Sequence, residues 1–281
     1  MLRVAVPNKG SLSEPAARML SESGYRQRRD PKELVLVDPD NDTEFFFLRP
    51  RDIATYVGAG KLDVGITGRD LLRDGGSTAV ETLALNFGRS TFRYAAVPGS
   101  VETVADFAGK RVATSYPRIV RDDLAAQGVE ADVLRLDGAV ETAVRLGVAD
   151  IIADVVETGA SLRNAGLEVI GGPILKSEAV LVTPADNGEN PQVEQLRRRL
   201  NGVKMARQYV MIDYDVRISI VDEATALTPG IESPTVSPLQ DEKWVAVRAM
   251  VDRKDTNRIM DQLWELGCRG ILVTDILACR L

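Results

Sequence analysis

The chain of 281 residues contains no histidine. That absence removes Ser-His-Asp and Cys-His catalysis, histidine metal ligands and the usual proton shuttle near neutral pH. Any chemistry must run on carboxylates, cations, hydroxyls, backbone amides or a bound ion. Cysteine is scarce as well. Only Cys268 and Cys279 occur, in no CxxC or metal-ligand spacing, so both are expected to be reduced structural thiols. No apolar run reaches the roughly 18 residues that a membrane span needs. The opening "MLRVAVPNKG" lacks the basic start, apolar core and small-residue cleavage site of a secretory signal, which predicts a cytoplasmic protein with no membrane partner. A basic excess is missing too: the formal net charge is -6, which argues against nucleic acid or a membrane surface held by bulk electrostatics. A small-molecule partner is favoured. With 44% hydrophobic and 27% charged residues, a packed globular protein is the default, and the length suits two or three domains.

What is present is alternation of β-rich and helical runs. From Leu2 to about Tyr94 the order reads βαββαβα: "LRVAVP", the helix "SLSEPAARMLSESG", "ELVLV", "TEFFFLRP", the helix "RDIATYVGAG", "LDVGITG" and the helix "RDLLRDGG". A second α/β unit follows, with strands "FRYAAVP", "RVATSY", "ADVLRL" and "IIADVV" and helices "VADFAG", "PRIVRDDLAAQG", "GAVETAVRLG" and "GASLRNAG". The chain then returns through "EAVLVTP", and "NPQVEQLRRRLNGVKMARQ" reads as a long amphipathic helix bridging back over the first unit. Two such lobes suggest a periplasmic-binding-protein-like body with a cleft, residues 1–90 and 184–208 forming one lobe and 91–183 the other. Residues 209–281 hold the strand "YVMIDYDV", the helix "RISIVDEATAL", a Pro/Gly/Ser-rich connection "TPGIESPTVSPL", the strand "WVAVRAMV", the helix "DTNRIMDQLWELG" and the strand "GILVTDILA". We take this module as ferredoxin-like, βαββαβ, and as regulatory or oligomerising. The predicted fold class is α/β throughout. The aromatic run Phe45 to Phe47 reads as strand core, and the arginines Arg197 to Arg199 as a solvated helix face.

Ligands of open α/β sheets sit beyond the carboxyl ends of strands, and "IIADVVETGASL" is such a place. Gly159 lets the backbone approach closely, and the free amides of Gly159, Ala160, Ser161 and Leu162 at a helix start would hold a phosphate. Thr158 and Ser161 add hydroxyls. Asp154 and Glu157 offer carboxylates that suit sugar hydroxyls or a magnesium-bound ligand. A phosphorylated sugar meets all of these; a strand end with an ordinary helix cap is the competing reading.

The wider stretch "ETAVRLGVADIIADVVETGASL" resembles the signature of the ATP phosphoribosyltransferase family, fitting at Glu141, Gly147, Ala149, Ile152, Asp154, Val155, Thr158, Gly159 and Leu162. Ser161 departs from it, standing where the family has threonine; it keeps the hydroxyl and loses a methyl. Further segments agree: "VPNKGSLSE", "FFFLRPRDIATYVGAGKLDVGITGRDLL", "ATSYPRIVRDDLAAQG" and "ATALTPGIESPTVSPL". The last of these, with the ferredoxin-like module, marks the long form that carries its own regulatory domain.

The resemblance implies a magnesium-dependent reaction in which N1 of the adenine of ATP attacks the anomeric carbon of phosphoribosyl pyrophosphate. It implies that Asp154 and the loop Glu157 to Leu162 bind the ribose 5-phosphate end, with Glu141 near that loop. A solvated or structural helix glutamate is the alternative for Glu141. Lys9 and Arg49, at strand ends, are placed to meet polyphosphate, ordinary solvated cations being the alternative. Asp70, Leu71 and Tyr116 would contact nucleotide, although Asp70 could be a helix cap and Tyr116 a packed ring. The C-terminal module implies feedback inhibition by L-histidine, for which Asp215, Ile231, Ser233 and Thr235 are candidates, ordinary turn residues being the alternative. Dimers and hexamers are implied as well, and the direct ligands of magnesium stay open. A cytoplasmic solute-binding or effector-sensing protein, or a silent regulatory subunit, would use the same cleft and bind ligand without turnover.

Overall fold

The computed structural model describes residues 1–156, 159–186, 188 and 190–280; Glu157 and Thr158, named above, lie outside the described residues. The chain divides into two units, Met1–Arg197 and Arg198–Leu281. The first unit opens with β1 (Leu2–Pro7), α1 (Ser13–Glu22), β2 (Val35–Asp38), β3 (Thr43–Leu48), α2 (Pro50–Gly58), β4 (Val64–Gly68), α3 (Arg69–Gly75) and β5 (Val80–Ala84). It continues with β6 (Ser90–Ala96), β7 (Arg111–Thr114), α4 (Pro117–Ala126), β8 (Asp132–Arg135) and α5 (Thr142–Arg145). β9 (Ile151–Val156), α6 (Ala160–Asn164), β10 (Glu168–Ser177) and β11 (Ala179–Thr183) complete its sheets.

These strands form two sheets, one lobe each: β2-β3-β1-β4-β11-β5 and β10-β6-β9-β7-β8. In the first, β1 runs parallel to both β3 and β4, and the alternation of β3 buries Phe45 and Phe47 on one face while Phe46 packs with Ile53, Val57 and Val180 on the other. In the second, β9 runs parallel to β7, and both faces are covered. Phe92, Tyr94, Phe107, Val120, Ile151 and Ala153 pack on one side, and Ala95, Ala113, Ala143, Ile152 and Leu162 on the other. Continuous apolar runs such as "IIADVV" are what a strand buried on both faces requires.

The structure adds strands that sequence reasoning passed over. β5 and β10 are edge strands, and β10 carries Gly171-Gly172-Pro173, which reads as a turn. An edge strand accepts a proline because one side of its ladder needs no donor, and β10 is irregular between Ile170 and Leu175. The lobe boundary also moves. β11, expected to end the second lobe at residue 183, pairs with β4 and β5 of the first sheet instead. The helix expected over "GAVETAVRLG" shrinks to α5, with Glu141 at its N-cap and Ala139 at φ 46 breaking the preceding turn.

Helix α7 (Pro191–Gln208) carries the chain across the division at Arg197, where Arg197 pairs with Glu194 at 2.7 Å. The second unit is β12 (Tyr209–Arg217), α8 (Val221–Leu227), β13 (Thr235–Pro238), β14 (Trp244–Asp252), α9 (Thr256–Leu266) and β15 (Arg269–Asp275), with sheet order β13-β14-β12-β15. This is the expected ferredoxin-like order, its second strand lying inside the Pro/Gly/Ser-rich connection. Val210, Ile212, Tyr214 and Val216 alternate onto the core with Ile259, Leu263 and buried Cys268. Cys268 and Cys279 are both free thiols.

Candidate active site

In each sheet of the first unit the parallel strands end at one edge, and the candidate residues follow those ends. Lys9 succeeds β1 and Arg49 succeeds β3, neighbours in register at Pro7 and Leu48; both side chains are exposed. Asp70 follows β4 in the first turn of α3 and is buried. The Ser177 hydroxyl donates to its Oδ1 at 2.8 Å, and the Asp70 amide donates back to that hydroxyl at 3.1 Å. Ser177 ends β10, so this pair ties α3 of one lobe to the sheet of the other. Leu71 is half-buried beside it.

In the second lobe Tyr116 follows β7 and Asp154 sits near the end of the adjacent β9. Side chains alternate along β9, and Ile152 packs with Val140, Ala143 and Leu162 of the α5 and α6 side. Asp154 therefore faces that same side, where Glu141 begins α5. Burial pushes the Asp154 carboxyl above the ordinary carboxylate range, and the charges of Glu141 and Asp70 push it further, against the Val155 amide that donates to its Oδ1 at 2.8 Å. The Tyr116 phenol is driven up by burial first and then by Asp70, with Arg51 opposing, so it stays protonated. Its ring packs edge-on against Phe92 at 5.2 Å. Asp70, Tyr116, Asp154 and Glu141, scattered over the sequence, thus share one electrostatic neighbourhood.

Gly159 adopts φ 71, the left-handed conformation in which glycine carries no strain, and starts α6. Ala160 and Ser161 are exposed at that start. Leu162 is 4% exposed; its side chain belongs to the core, so only its backbone can meet a ligand. Among the described residues no group of three or more His, Cys, Asp and Glu side chains could hold a metal ion, and no helix is long and apolar enough to cross a membrane.

Sequence reasoning missed Arg51, Asp74 and Ser177. Arg51 Nη1 meets Asp74 Oδ2 at 3.0 Å, Nη2 donates to the Ser115 carbonyl at 3.0 Å, and the guanidinium stands 5.1 Å from the Tyr116 ring centre. No local pattern marks such residues, because their partners lie on other elements.

In the second unit Asp215 lies on the sheet face opposite the core, half-buried. A Cβ built at Gly270 would stand 3.2 Å from its Oδ2, so the backbone of β15 comes close to this carboxylate. Thr235 begins β13, separated from β12 by β14, while Ile231 and Ser233 are exposed in the preceding loop.

A profile of the family described as ATP phosphoribosyltransferase matches residues 49–202, and one described as HisG, C-terminal domain, matches residues 206–278. The chain is 65% identical to the ATP phosphoribosyltransferase of Paenarthrobacter aurescens and 62% identical to that of Streptomyces coelicolor, over 100% of each chain. Among solved structures it resembles the ATP phosphoribosyl transferase (HisG:HisZ) complex from Thermotoga maritima, with 25% identity and TM-score 0.62 over 72% of this chain and 99% of that one. The substrate binding protein of an amino acid ABC transporter matches at TM-score 0.50 and 10% identity, over 73% of this chain and 94% of that one, a likeness of fold alone.

Proposed function

Because the chain belongs to the ATP phosphoribosyltransferase family and is a phosphoribosyltransferase, we propose that it joins N1 of the adenine of ATP to C1 of 5-phosphoribosyl 1-pyrophosphate. The new N–C bond forms as the bond from C1 to pyrophosphate breaks, giving phosphoribosyl-ATP, the first step of histidine biosynthesis. What carries the reading is the convergence of Asp70, Tyr116, Asp154 and Glu141 at the carboxyl edges of the two sheets beside the Gly159 turn. Pyrophosphate is a good leaving group, so positioning and charge stabilisation supply most of the catalysis and no histidine is needed.

In this reading the amides that follow Gly159 hold the 5-phosphate, and Asp154 accepts hydrogen bonds from the ribose hydroxyls. A carboxyl whose pKa is raised by burial is more basic, and so a stronger acceptor for a substrate hydroxyl. As C1 loses pyrophosphate, positive charge develops on the ring, and Asp154 and Glu141 stabilise it. Lys9 and Arg49 meet the pyrophosphate, where exposed cations neutralise charge on the leaving oxygens. Asp70, Leu71 and the protonated Tyr116 contact the nucleotide. Two neighbouring carboxylates, Asp154 and Glu141, form a hard oxygen donor set that fits magnesium, an ion that keeps several waters and binds through one or two carboxylates plus substrate phosphates. Magnesium, when bound, supplies charge neutralisation on the pyrophosphate.

We also assign the second unit the sensing of L-histidine, with Asp215 pairing the ammonium and Ile231, Ser233 and Thr235 lining the site. The exposed edge strands β13 and β15 support assembly into dimers and hexamers, in a cytoplasmic enzyme. The test is pyrophosphate release from purified protein given ATP, phosphoribosyl pyrophosphate and magnesium, with and without millimolar L-histidine. Release that needs both substrates and falls with histidine is the expected result. Ligand binding without release would replace the transferase by a binding protein, and histidine-insensitive release would remove the assignment of Asp215.

A further inference from the structure

Helix α4 (Pro117–Ala126) begins with Pro117, and its N-cap Tyr116 makes no side-chain cap hydrogen bond. The amides of a helix's first turn have no partner within the helix and need one from elsewhere. Here the partner comes from the other lobe: the Arg118 amide donates to Asp74 Oδ1 at 2.9 Å. Asp74 is an acid placed at a helix N-terminus, where the helix dipole favours it. Its side chain is only 5% exposed, and its second oxygen takes Arg51 Nη1 at 3.0 Å. Arg51 in turn reaches across with Nη2 to the Ser115 carbonyl, and its guanidinium lies over the Tyr116 ring. Two side chains of one lobe thus grip three consecutive features of the other: the Ser115 carbonyl, the Tyr116 ring and the Arg118 amide.

The grip sits between the two nucleotide candidates. Asp70 lies one helical turn before Asp74 on α3, and Tyr116 is the residue being gripped. We propose that Arg51 and Asp74 form an interlobe clasp that positions Tyr116 against Asp70, making both of them positioning residues for the nucleotide; this rests on the transferase reading given above. The fork of an arginine is suited to the task, because one guanidinium can donate to a carboxylate and a carbonyl at fixed angles, which a lysine cannot. The clasp leaves the phosphate loop untouched, since that loop follows β9 on the α5 and α6 side.

Arg51→Met, Arg51→Lys and Asp74→Ala, compared with the unaltered full chain, test it on two readouts. Steady-state kinetics should show KM for ATP raised about tenfold or more in Arg51→Met, the loss of a charged hydrogen bond, with KM for phosphoribosyl pyrophosphate changed less than twofold. Arg51→Lys, keeping the charge and losing the fork, should fall between. Hydrogen exchange of the peptide spanning Ser115 to Leu124 should rise in Asp74→Ala, because the Arg118 amide loses its acceptor. Unchanged exchange overturns the clasp whatever the activity. Faster exchange with a KM for ATP that does not move, or with both KM values rising equally, keeps the contact and overturns its positioning role. Faster exchange in a protein that releases no pyrophosphate even unaltered refutes the transferase reading and leaves the clasp as a contact only. Should Asp74→Ala fail to fold, the two KM values of Arg51→Met decide: a KM for ATP that does not move, or both KM values rising equally, overturns the clasp.

Discussion

Asp154→Asn separates function from stability in one substitution. Among the described residues the carboxylate makes one hydrogen bond, from the Val155 amide, and an asparagine Oδ1 can accept it equally well. In the proposed function, what the substitution removes is a charged acceptor for the ribose hydroxyls. A hydrogen bond to a charged group contributes about 1.5–3 kcal/mol, which is roughly a 10- to 150-fold loss in kcat/KM for phosphoribosyl pyrophosphate. The free protein should move the other way. The folded-state pKa of Asp154 lies above its unfolded value, through burial and the charges of Glu141 and Asp70, so folding favours the protonated form. Stability is therefore lost as pH rises from the ordinary carboxylate range through the raised pKa, and the ionised group costs the fold free energy above it. Asparagine carries no such cost. The variant's Tm should exceed that of the unaltered chain at pH 8, and the gain should shrink as pH falls through the carboxylate range. Pyrophosphate release at varied phosphoribosyl pyrophosphate, with thermal melts at pH 5 and pH 8, measures both. A kcat/KM within twofold of the original, or a Tm that drops at pH 8, would refute the placement of this carboxylate as a half-buried, substrate-facing group.

Leu162→Ala should cost about 2–5 kcal/mol in urea unfolding, as a buried leucine lost from the core that anchors α6, and should raise KM for phosphoribosyl pyrophosphate with it. Gly159→Ala forces a side chain into φ 71 with its Cβ 3.1 Å from Arg163 Nη1. If this turn holds the 5-phosphate as proposed, a strain of about 1–2 kcal/mol there should appear as a several-fold higher KM for phosphoribosyl pyrophosphate, with KM for ATP unchanged. Lys9→Ala and Arg49→Ala should each raise KM for phosphoribosyl pyrophosphate about tenfold at low salt, and the difference from the unaltered chain should narrow as salt screens these exposed cations. Equal salt dependence in both would remove them from the pyrophosphate site.

By itself the sequence determined the elements whose signals are local. Apolar runs buried on both faces became β1, β4, β9 and β11, and the alternation in "YVMIDYDV" became a half-buried strand of the second unit. Gly159 was legible as a turn residue behind a strand, where a left-handed backbone leaves few residue types to choose from. Strands β5, β10 and β13 were not legible, since an edge strand rich in Gly, Pro or exposed residues is defined by the strand it pairs with. The same distinction runs through the site. Residue type and its place at a strand end named Asp154, while Asp70 and Tyr116 came from the resemblance to the family. That Asp154 shares a face with Glu141, that Ser177 holds Asp70, and that Arg51 and Asp74 grip the start of α4 depend on contacts between residues far apart in the chain. Such contacts leave no periodicity to read, because each partner satisfies a need, an uncapped amide or a buried carboxylate, that arises only once the lobes are packed together.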